Sequence, residues 1–250
     1  VRVIAIYSIK GGVGKTASAV NLAYTASQNG VRTILCDLDP QGSATYYFRV
    51  RPAKKFGPRK LIAGGSKVEK KIRGTDFYNL DLLPASMSLR NLDVVLGSVK
   101  RSRGRLRRSL GTLGGQYDYM FLDCPPSITL VSENIFRAAD YVVVPFIPTT
   151  LSLLSYGKLT EFFREEGLDA GRIRAFFSMT EMRKRMHRDI MRKMTGEDRR
   201  FLRTVIPYMS DIERMGLYRE PVASSKPNSL AARRYLELWD EIVTLEEAKP

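Results

Sequence analysis

Short apolar runs and longer amphipathic stretches alternate along this chain. Residues 3–7, 33–36, 80–84, 117–123, 141–145, 173–179 and 202–207 are rich in Val, Ile, Leu, Phe and Tyr. Near-continuous apolar runs of this length read as strands buried on both faces. Between them, residues 17–28, 87–99, 151–166 and 231–247 space their apolar positions three or four apart, the period of a helix with one buried side. Gly30 stands where the first helix should end, and Ser229 where the last should be capped. Strand–helix alternation through the whole chain predicts an α/β fold, a mostly parallel twisted sheet with helices on both faces and a ligand crevice at the carboxyl ends of its strands. Residues 49–73, with Pro52, Pro58 and the Gly64-Gly65 pair, interrupt the pattern and predict loops and short helices at one sheet edge. No apolar run reaches ~18 residues, so no transmembrane helix is expected. The first strand starts too near residue 1 to leave room for a signal peptide or a helix-turn-helix extension. One domain, residues 1–250, without internal repeats is expected.

The first strand leads directly into Ser8-Ile9-Lys10-Gly11-Gly12-Val13-Gly14-Lys15-Thr16 and then into the first helix. Strand, small-residue loop and helix N-terminus form a phosphate cradle, because backbone N–H groups can turn inward and the helix dipole adds positive potential. Lys15 is then placed for the β- and γ-phosphates and the Thr16 hydroxyl for Mg²⁺. The plain P-loop has Gly where Ile9 stands; here a second lysine, Lys10, opens the loop instead. The form K-G-G-x-G-K-[ST] resembles the deviant Walker A box of the ParA/MinD family of P-loop ATPases. The second strand runs into Asp37-Leu38-Asp39-Pro40-Gln41-Gly42, similar to that family's D-x-D-P-Q-G box, and extended spacing would set Asp37 and Asp39 on one side of the chain. Residues 117–123 deliver Asp123 at a strand end, the Walker B arrangement in which a carboxylate holds a metal through its water shell. Asp123-Cys124-Pro125-Pro126 resembles the D-x-P-P switch that follows it in the family.

The resemblance covers essentially the whole chain. It implies that Lys10, Gly11, Gly12, Val13, Gly14, Lys15, Thr16 and Ala17 hold ATP, and that Thr16, Asp37 and Asp123 hold Mg²⁺. It also implies that Asp39 orients the hydrolytic water and that Lys10 reaches across an ATP-dependent homodimer to the partner's phosphates. Met179 and Pro207 follow the strands where the family builds its adenine pocket. Where the family often has Glu-Ala-Pro after the last strand, this chain has Glu213-Arg214-Met215. The implied activity is slow, partner-stimulated ATP hydrolysis. The implied role is partition or positioning of a plasmid, a chromosome region or a protein cargo by an ATPase that binds DNA non-specifically in the cytoplasm, on the nucleoid, together with a ParB-like or analogous adaptor. Two other readings stand beside it. A MinD-like membrane ATPase would end in an amphipathic helix rich in Lys and apolar residues, whereas residues 245–250 are short and acidic. A metabolic P-loop enzyme or iron–sulfur carrier would need paired cysteines, whereas Cys36 and Cys124 fall inside other motifs and read as reduced thiols packed at strand ends.

Charge adds one more expectation. Lys plus Arg number 41 against 26 Asp plus Glu, a net +15, which points to a polyanionic partner, most simply nucleic acid. Residues 183–203 carry nine basic and three acidic side chains, and Arg183, Arg185, Arg188, Arg192 and Arg203 are the expected DNA contacts. Met182, Met186, Ile190 and Met194 recur every four residues and read as the core face of that helix. His187, set among arginines, reads as a surface residue. Residues 49–73 hold ten bases and one acid, and residues 100–108 six bases and no acid. The second cluster fits either a solvated helix face or a nucleic-acid or partner contact.

Overall fold

The computed structural model describes residues 1–52 and 54–247. Ala248-Lys249-Pro250, half of the acidic ending read from the sequence, lies outside them. The chain begins with β1 (Arg2–Ile6), α1 (Lys15–Gln28), β2 (Thr33–Asp37), α2 (Ser43–Tyr47), α3 (Pro58–Ala63), α4 (Ser66–Glu69), β3 (Arg73–Gly74), β4 (Leu80–Leu83), α5 (Leu92–Gly97) and α6 (Arg105–Gly111). It continues through β5 (Tyr119–Asp123), α7 (Leu130–Ala138), β6 (Tyr141–Phe146), α8 (Thr150–Glu165), β7 (Ile173–Thr180), α9 (Arg185–Glu197) and β8 (Phe201–Pro207). Four helices close it: α10 (Ser210–Glu213), α11 (Met215–Tyr218), α12 (Val222–Ser225) and α13 (Leu230–Glu247).

The sheet order is β3-β4-β2-β5-β1-β6-β7-β8. Each pairing is parallel except β3 with β4. The two-residue strand β3 was not expected from the broken pattern of residues 49–73, and the stretch read as one helix over residues 87–99 is a 3₁₀ turn at Met87–Asn91 followed by α5. α5 also ends two residues before residue 99, at Gly97, a residue of high helix cost.

Two apolar layers flank the sheet. Leu61 of α3, Val68 of α4, Leu106 of α6, Phe136 of α7, Phe163 of α8 and Met194 of α9 pack on one face. On the other, α1 supplies Ala19, Leu22 and Ala23, and α13 supplies Tyr235, Leu238, Trp239 and Ile242. The Trp239 ring meets Tyr119 of β5 edge-on at 4.9 Å. Each such large side chain, fully buried, contributes roughly 1.5–3 kcal/mol. Its start is capped as expected, with Ala232 N–H donating to Ser229 Oγ at 3.1 Å. Among the described residues no helix is long and apolar enough to cross a membrane.

Helix α9 departs from the sequence reading in two ways. His187 is not a surface residue: it is 3% exposed, and its Nδ1 accepts the Glu181 N–H at 3.1 Å. The methionine stripe is only half a core face, since Ile190 and Met194 are buried while Met182 and Met186 are 56% and 44% exposed. Met182 in fact precedes the helix, in a turn.

Candidate active site

Three neighbouring strands end in register at one edge. Ile6 of β1 and Asp37 of β2 both pair with Asp123 of β5, so the chain leaving β1 and the two carboxylates meet in one crevice. The loop after β1 can turn there because Gly12 and Gly14 take φ of 70° and 89°, the left-handed region that glycine enters freely. Gly14 is the residue before α1, with no side chain capping the helix, so the first N–H groups of α1 remain free to bind an anion. The loop is also fastened from outside. Ser178 Oγ of β7 donates to the Val13 carbonyl at 3.0 Å, and a Cβ on Gly14 would lie 3.1 Å from that same oxygen. Ser178 did not stand out in the sequence, since a serine in an apolar strand gives no sign of reaching a loop 165 residues away.

The two lysines of the loop are in different states. Lys15 is 8% exposed, and its Nζ lies 3.4 Å from the Lys10 carbonyl. Burial lowers its proton affinity, and Asp123 and Asp39 work in the opposite direction. Lys10 is half-buried through its chain, with its N–H on Ser8 Oγ at 3.2 Å, and its ammonium has no partner among the described residues.

The carboxylates are also unequal. Asp123 is fully buried with both oxygens unpaired. Burial, reinforced by Asp37, raises its pKa well above the ordinary value, with the Thr16 hydroxyl opposing. Asp37 Oδ2 accepts the Thr45 N–H at 2.8 Å and the Thr45 hydroxyl at 2.7 Å, while its Oδ1 is unpaired. The same hydroxyl accepts the Ala85 N–H at 2.8 Å, so Thr45 ties the site to the end of β4. Burial pushes Asp37 up to about 6, against the pull of those Thr45 bonds. Asp39 is not on the same side of a strand as Asp37, because β2 ends at Asp37. It opens a turn instead, with Oδ1 accepting the Gln41 N–H and its carbonyl accepting the Gly42 N–H, both at 3.0 Å.

Three orphaned carboxylate oxygens beside a threonine hydroxyl and a buried ammonium are costly when nothing neutralises them. The donors are hard oxygens, the set that suits Mg²⁺. Among the described residues no three His, Cys, Asp or Glu side chains converge tightly enough to hold a metal alone, so a cation here would draw its remaining ligands from phosphate and water. Thr16 and Asp123 fit that task directly; Asp37 fits it through Oδ1 only.

A cleft of about 200 Å³ opens beside the loop, lined by Gly12, Gly14, Met179, Pro207, Tyr208 and Tyr235 among others. Met179 has φ 52°, a strained conformation for a side chain of this size, and it lets the chain turn off β7 at the cleft wall. Glu213 also lines it and accepts the Tyr208 hydroxyl, while Met215 of the same departing stretch is fully buried with the Asn21 amide 3.1 Å from its sulfur.

A protein-family model described as an AAA domain (AAA_31) matches residues 1–166. The sporulation initiation inhibitor protein Soj of Bacillus subtilis is 30% identical over 249 residues, covering 96% of this chain and 98% of its own. The chain belongs to the ParA/MinD family of ATPases. A plasmid partition protein from Borrelia burgdorferi, solved with AMPPNP bound, superposes with a TM-score of 0.82 at 27% identity, covering 100% of this chain and 99% of that one. The cobyrinic acid a,c-diamide synthase of Mycobacterium smegmatis, solved with an ATP analogue and magnesium, shares the fold at the same TM-score of 0.82 and 24% identity, over 100% of this chain and 97% of its own. This chain thus shares its fold with both solved relatives.

The remaining expected residues are scattered. Cys36 and Cys124 are free and fully buried, and burial raises both thiols far above their ordinary range. Of the expected DNA contacts, Arg183 and Arg192 are exposed and have no ion-pair partner among the described residues. Arg185 lies 3.6 Å from Asp189. Arg188 is already engaged, its guanidinium donating to the Met182 and Arg183 carbonyls at 2.7 and 3.2 Å. Arg203 is on β8 rather than α9, with its N–H on Glu241 Oε1 at 2.7 Å.

Proposed function

We propose that this ATPase dimerises on ATP, binds DNA without sequence preference, and partitions or positions a plasmid, a chromosome region or a protein cargo. The carrying observation is the division between the two lysines of one loop. Lys15 is buried against the loop carbonyls, whereas the Lys10 ammonium is unpartnered at its mouth. Lys15 and the amides of residues 11–16 serve the subunit's own phosphates. Lys10 is then available to neutralise the phosphates of a second copy, the trans role that an arginine finger plays elsewhere. Mg²⁺, when bound, neutralises charge between the β- and γ-phosphates, and Thr16, Asp37 and Asp123 would hold it. Asp39, fixed by its turn to Gln41 and Gly42, orients the attacking water. Ala17, Met179 and Pro207, which line the adjoining cleft, receive the base.

Residues 1–250 act as one ATPase domain in the cytoplasm, held on the nucleoid through exposed arginines of α9 and the turn before it, chiefly Arg183 and Arg192. Hydrolysis is slow until a ParB-like or analogous adaptor stimulates it. The partition names of the Treponema and Borrelia relatives support this reading. The test is size-exclusion chromatography with ATP and Mg²⁺, run beside hydrolysis rates. Lys10→Ala should bind nucleotide but stay monomeric. Asp39→Ala should dimerise and turn over ~10²-fold more slowly, as expected for loss of a group that positions the nucleophile. A normal ATP dimer of Lys10→Ala, or wild-type turnover by Asp39→Ala, refutes the mechanism.

A further inference from the structure

Two further runs are as basic as residues 183–203, which net +6: residues 49–73 net +9 and residues 100–108 net +6. The fold brings these two distant runs side by side. The Ser109 hydroxyl of α6 donates to the Leu61 carbonyl of α3, and the Gly65 N–H donates to Thr112 Oγ1 at 3.0 Å. Between those bonds α3 ends against α6 so closely that a Cβ on Gly64 would sit 2.9 Å from Ser109 Cα. Leu61, Val68, Leu106 and Leu110 seat both runs on the same face of the sheet. The result is one rigid surface that presents Arg59 and Lys60 from α3, Lys67 from α4 with Lys70 just after it, and Arg107 and Arg108 from α6, all exposed.

Two features show that this charge is not neutralised within the protein. Among the described residues only Arg49 and Arg103 of the two runs have carboxylate partners, Arg49 with Asp76 and Glu220 and Arg103 with Glu133 and Glu166. Where other cations of the surface make hydrogen bonds, they donate to main-chain carbonyls, as Lys60 does to Lys55 and Lys71 to Lys54. So many unpaired like charges, held together by packing, repel one another unless a polyanion neutralises them.

The type of polyanion follows from what the surface lacks. None of the large apolar side chains in the two runs is exposed, so nothing is available to enter a lipid interface. Their single aromatic residue, Phe56, is buried, so there is no platform on which unpaired bases could stack. A rigid array of lysine and arginine heads without aromatic or apolar contacts matches the phosphate backbone of a duplex. We propose that α3, α4 and α6 form a second duplex-DNA phosphate-binding surface, separate from α9. The two surfaces share a face of the sheet, with α3, α4 and α6 packing beside α7, and α9 packing on β8.

This inference rests on the reading of the protein as a DNA-binding ATPase, and the experiment separates the two. Binding to a fluorescent mixed-sequence duplex of about 40 base pairs is measured with ATP and Mg²⁺ over a range of salt, where each phosphate contact contributes about −0.9 to the slope of log affinity against log salt. One variant carries Lys60→Gln, Lys67→Gln, Lys70→Gln, Arg107→Gln and Arg108→Gln, and a second carries Arg183→Gln and Arg192→Gln. The first should keep its thermal melt, ATP binding and ATP dimer, yet lose up to about 4.5 per subunit from the magnitude of the salt slope. Wild-type affinity and slope in the first variant, with loss confined to the second, overturns this surface and leaves the DNA reading standing. No duplex binding by the wild-type protein overturns both. Binding to phosphatidylglycerol vesicles that the first variant alone abolishes, with duplex binding unchanged, assigns the surface to membrane and overturns it as a DNA site.

Discussion

Asp37 is the residue at which the site's electrostatics can be tested most sharply. Its carboxyl is raised from an ordinary 3.8 to about 6, with burial the leading cause. A raised carboxyl pKa means that the folded protein holds the proton more tightly than the unfolded chain. The folded state is therefore penalised as pH rises through the interval from about 4 to 6, and the penalty is complete above it. At about 1.4 kcal/mol for each tenfold change in proton affinity, the difference amounts to about 3 kcal/mol at pH 8. Asp37→Asn removes the charge and keeps an oxygen to accept from the Thr45 N–H and hydroxyl. It also relieves Asp123, whose own pKa Asp37 raises. Nucleotide-free Asp37→Asn should thus melt above the wild-type protein at pH 8, by about 6–12 °C for a chain of this size, and the gap should close toward pH 4.5. Comparing the two proteins at each pH cancels acid effects elsewhere, such as the loss of the Asp118–Arg32 pair. Adding ATP and Mg²⁺ should stabilise the wild-type protein more than the variant, because only the wild-type carboxylate gains from the cation. A variant that melts below wild type at pH 8 by the same margin as at pH 4.5 would refute the argument, since Asp37 would then act only as an acceptor for Thr45.

Two other substitutions test the supports of the two surfaces. Ser178→Ala removes the donor to the Val13 carbonyl and should weaken ATP binding about fivefold by calorimetry, the value of one hydrogen bond near 1 kcal/mol, with the melt nearly unchanged. Gly64→Ala places a Cβ against the Ser109 backbone at φ 69° and should cost about 2 kcal/mol or more; a melt within a degree of wild type would show that α3 can yield from α6.

The nucleotide end of this fold was legible in the sequence because its residues are consecutive. The Lys10–Thr16 loop, Asp37 and Asp123 each follow an apolar run directly, and parallel pairing brings run-ends together without further information. What arrives from elsewhere was not legible. Ser178 and Thr45 act through single hydrogen bonds to partners that no local pattern names. Asp39 was placed by strand alternation that stops two residues too soon, because Pro40 and Gly42 convert the strand end to a turn. The basic runs at residues 49–73 and 100–108 read separately, the first as loops and short helices and the second as a solvated face or a partner contact, and they become one surface only through the close approach at Gly64.

Helix α9 shows how a nearly correct period misleads. At 3.6 residues per turn each residue advances about 100°, so a four-residue step overshoots a full turn by about 40°. The stripe Met182, Met186, Ile190, Met194 therefore drifts, and Met186 points about 80° away from Met194 even within the helix. Seven residues come back within about 20° of the start, which puts His187, not Met186, in line with Met194. The buried set is His187, Ile190 and Met194, an i, i+3, i+7 face, and Met186 is left outside. Among arginines the imidazole looked like a surface group. On this face it faces inward, where its Nδ1 meets the Glu181 N–H and burial lowers its proton affinity, with Lys184 adding to the effect. A neutral His187 accepting at Nδ1 carries its proton on Nε2. The bond closes the turn between β7 and α9 and fixes how α9 leaves the strand that holds Ser178 and Met179. The one histidine of the chain is thus part of the core, and the 80° drift of the four-residue stripe accounts for the exposure of Met186.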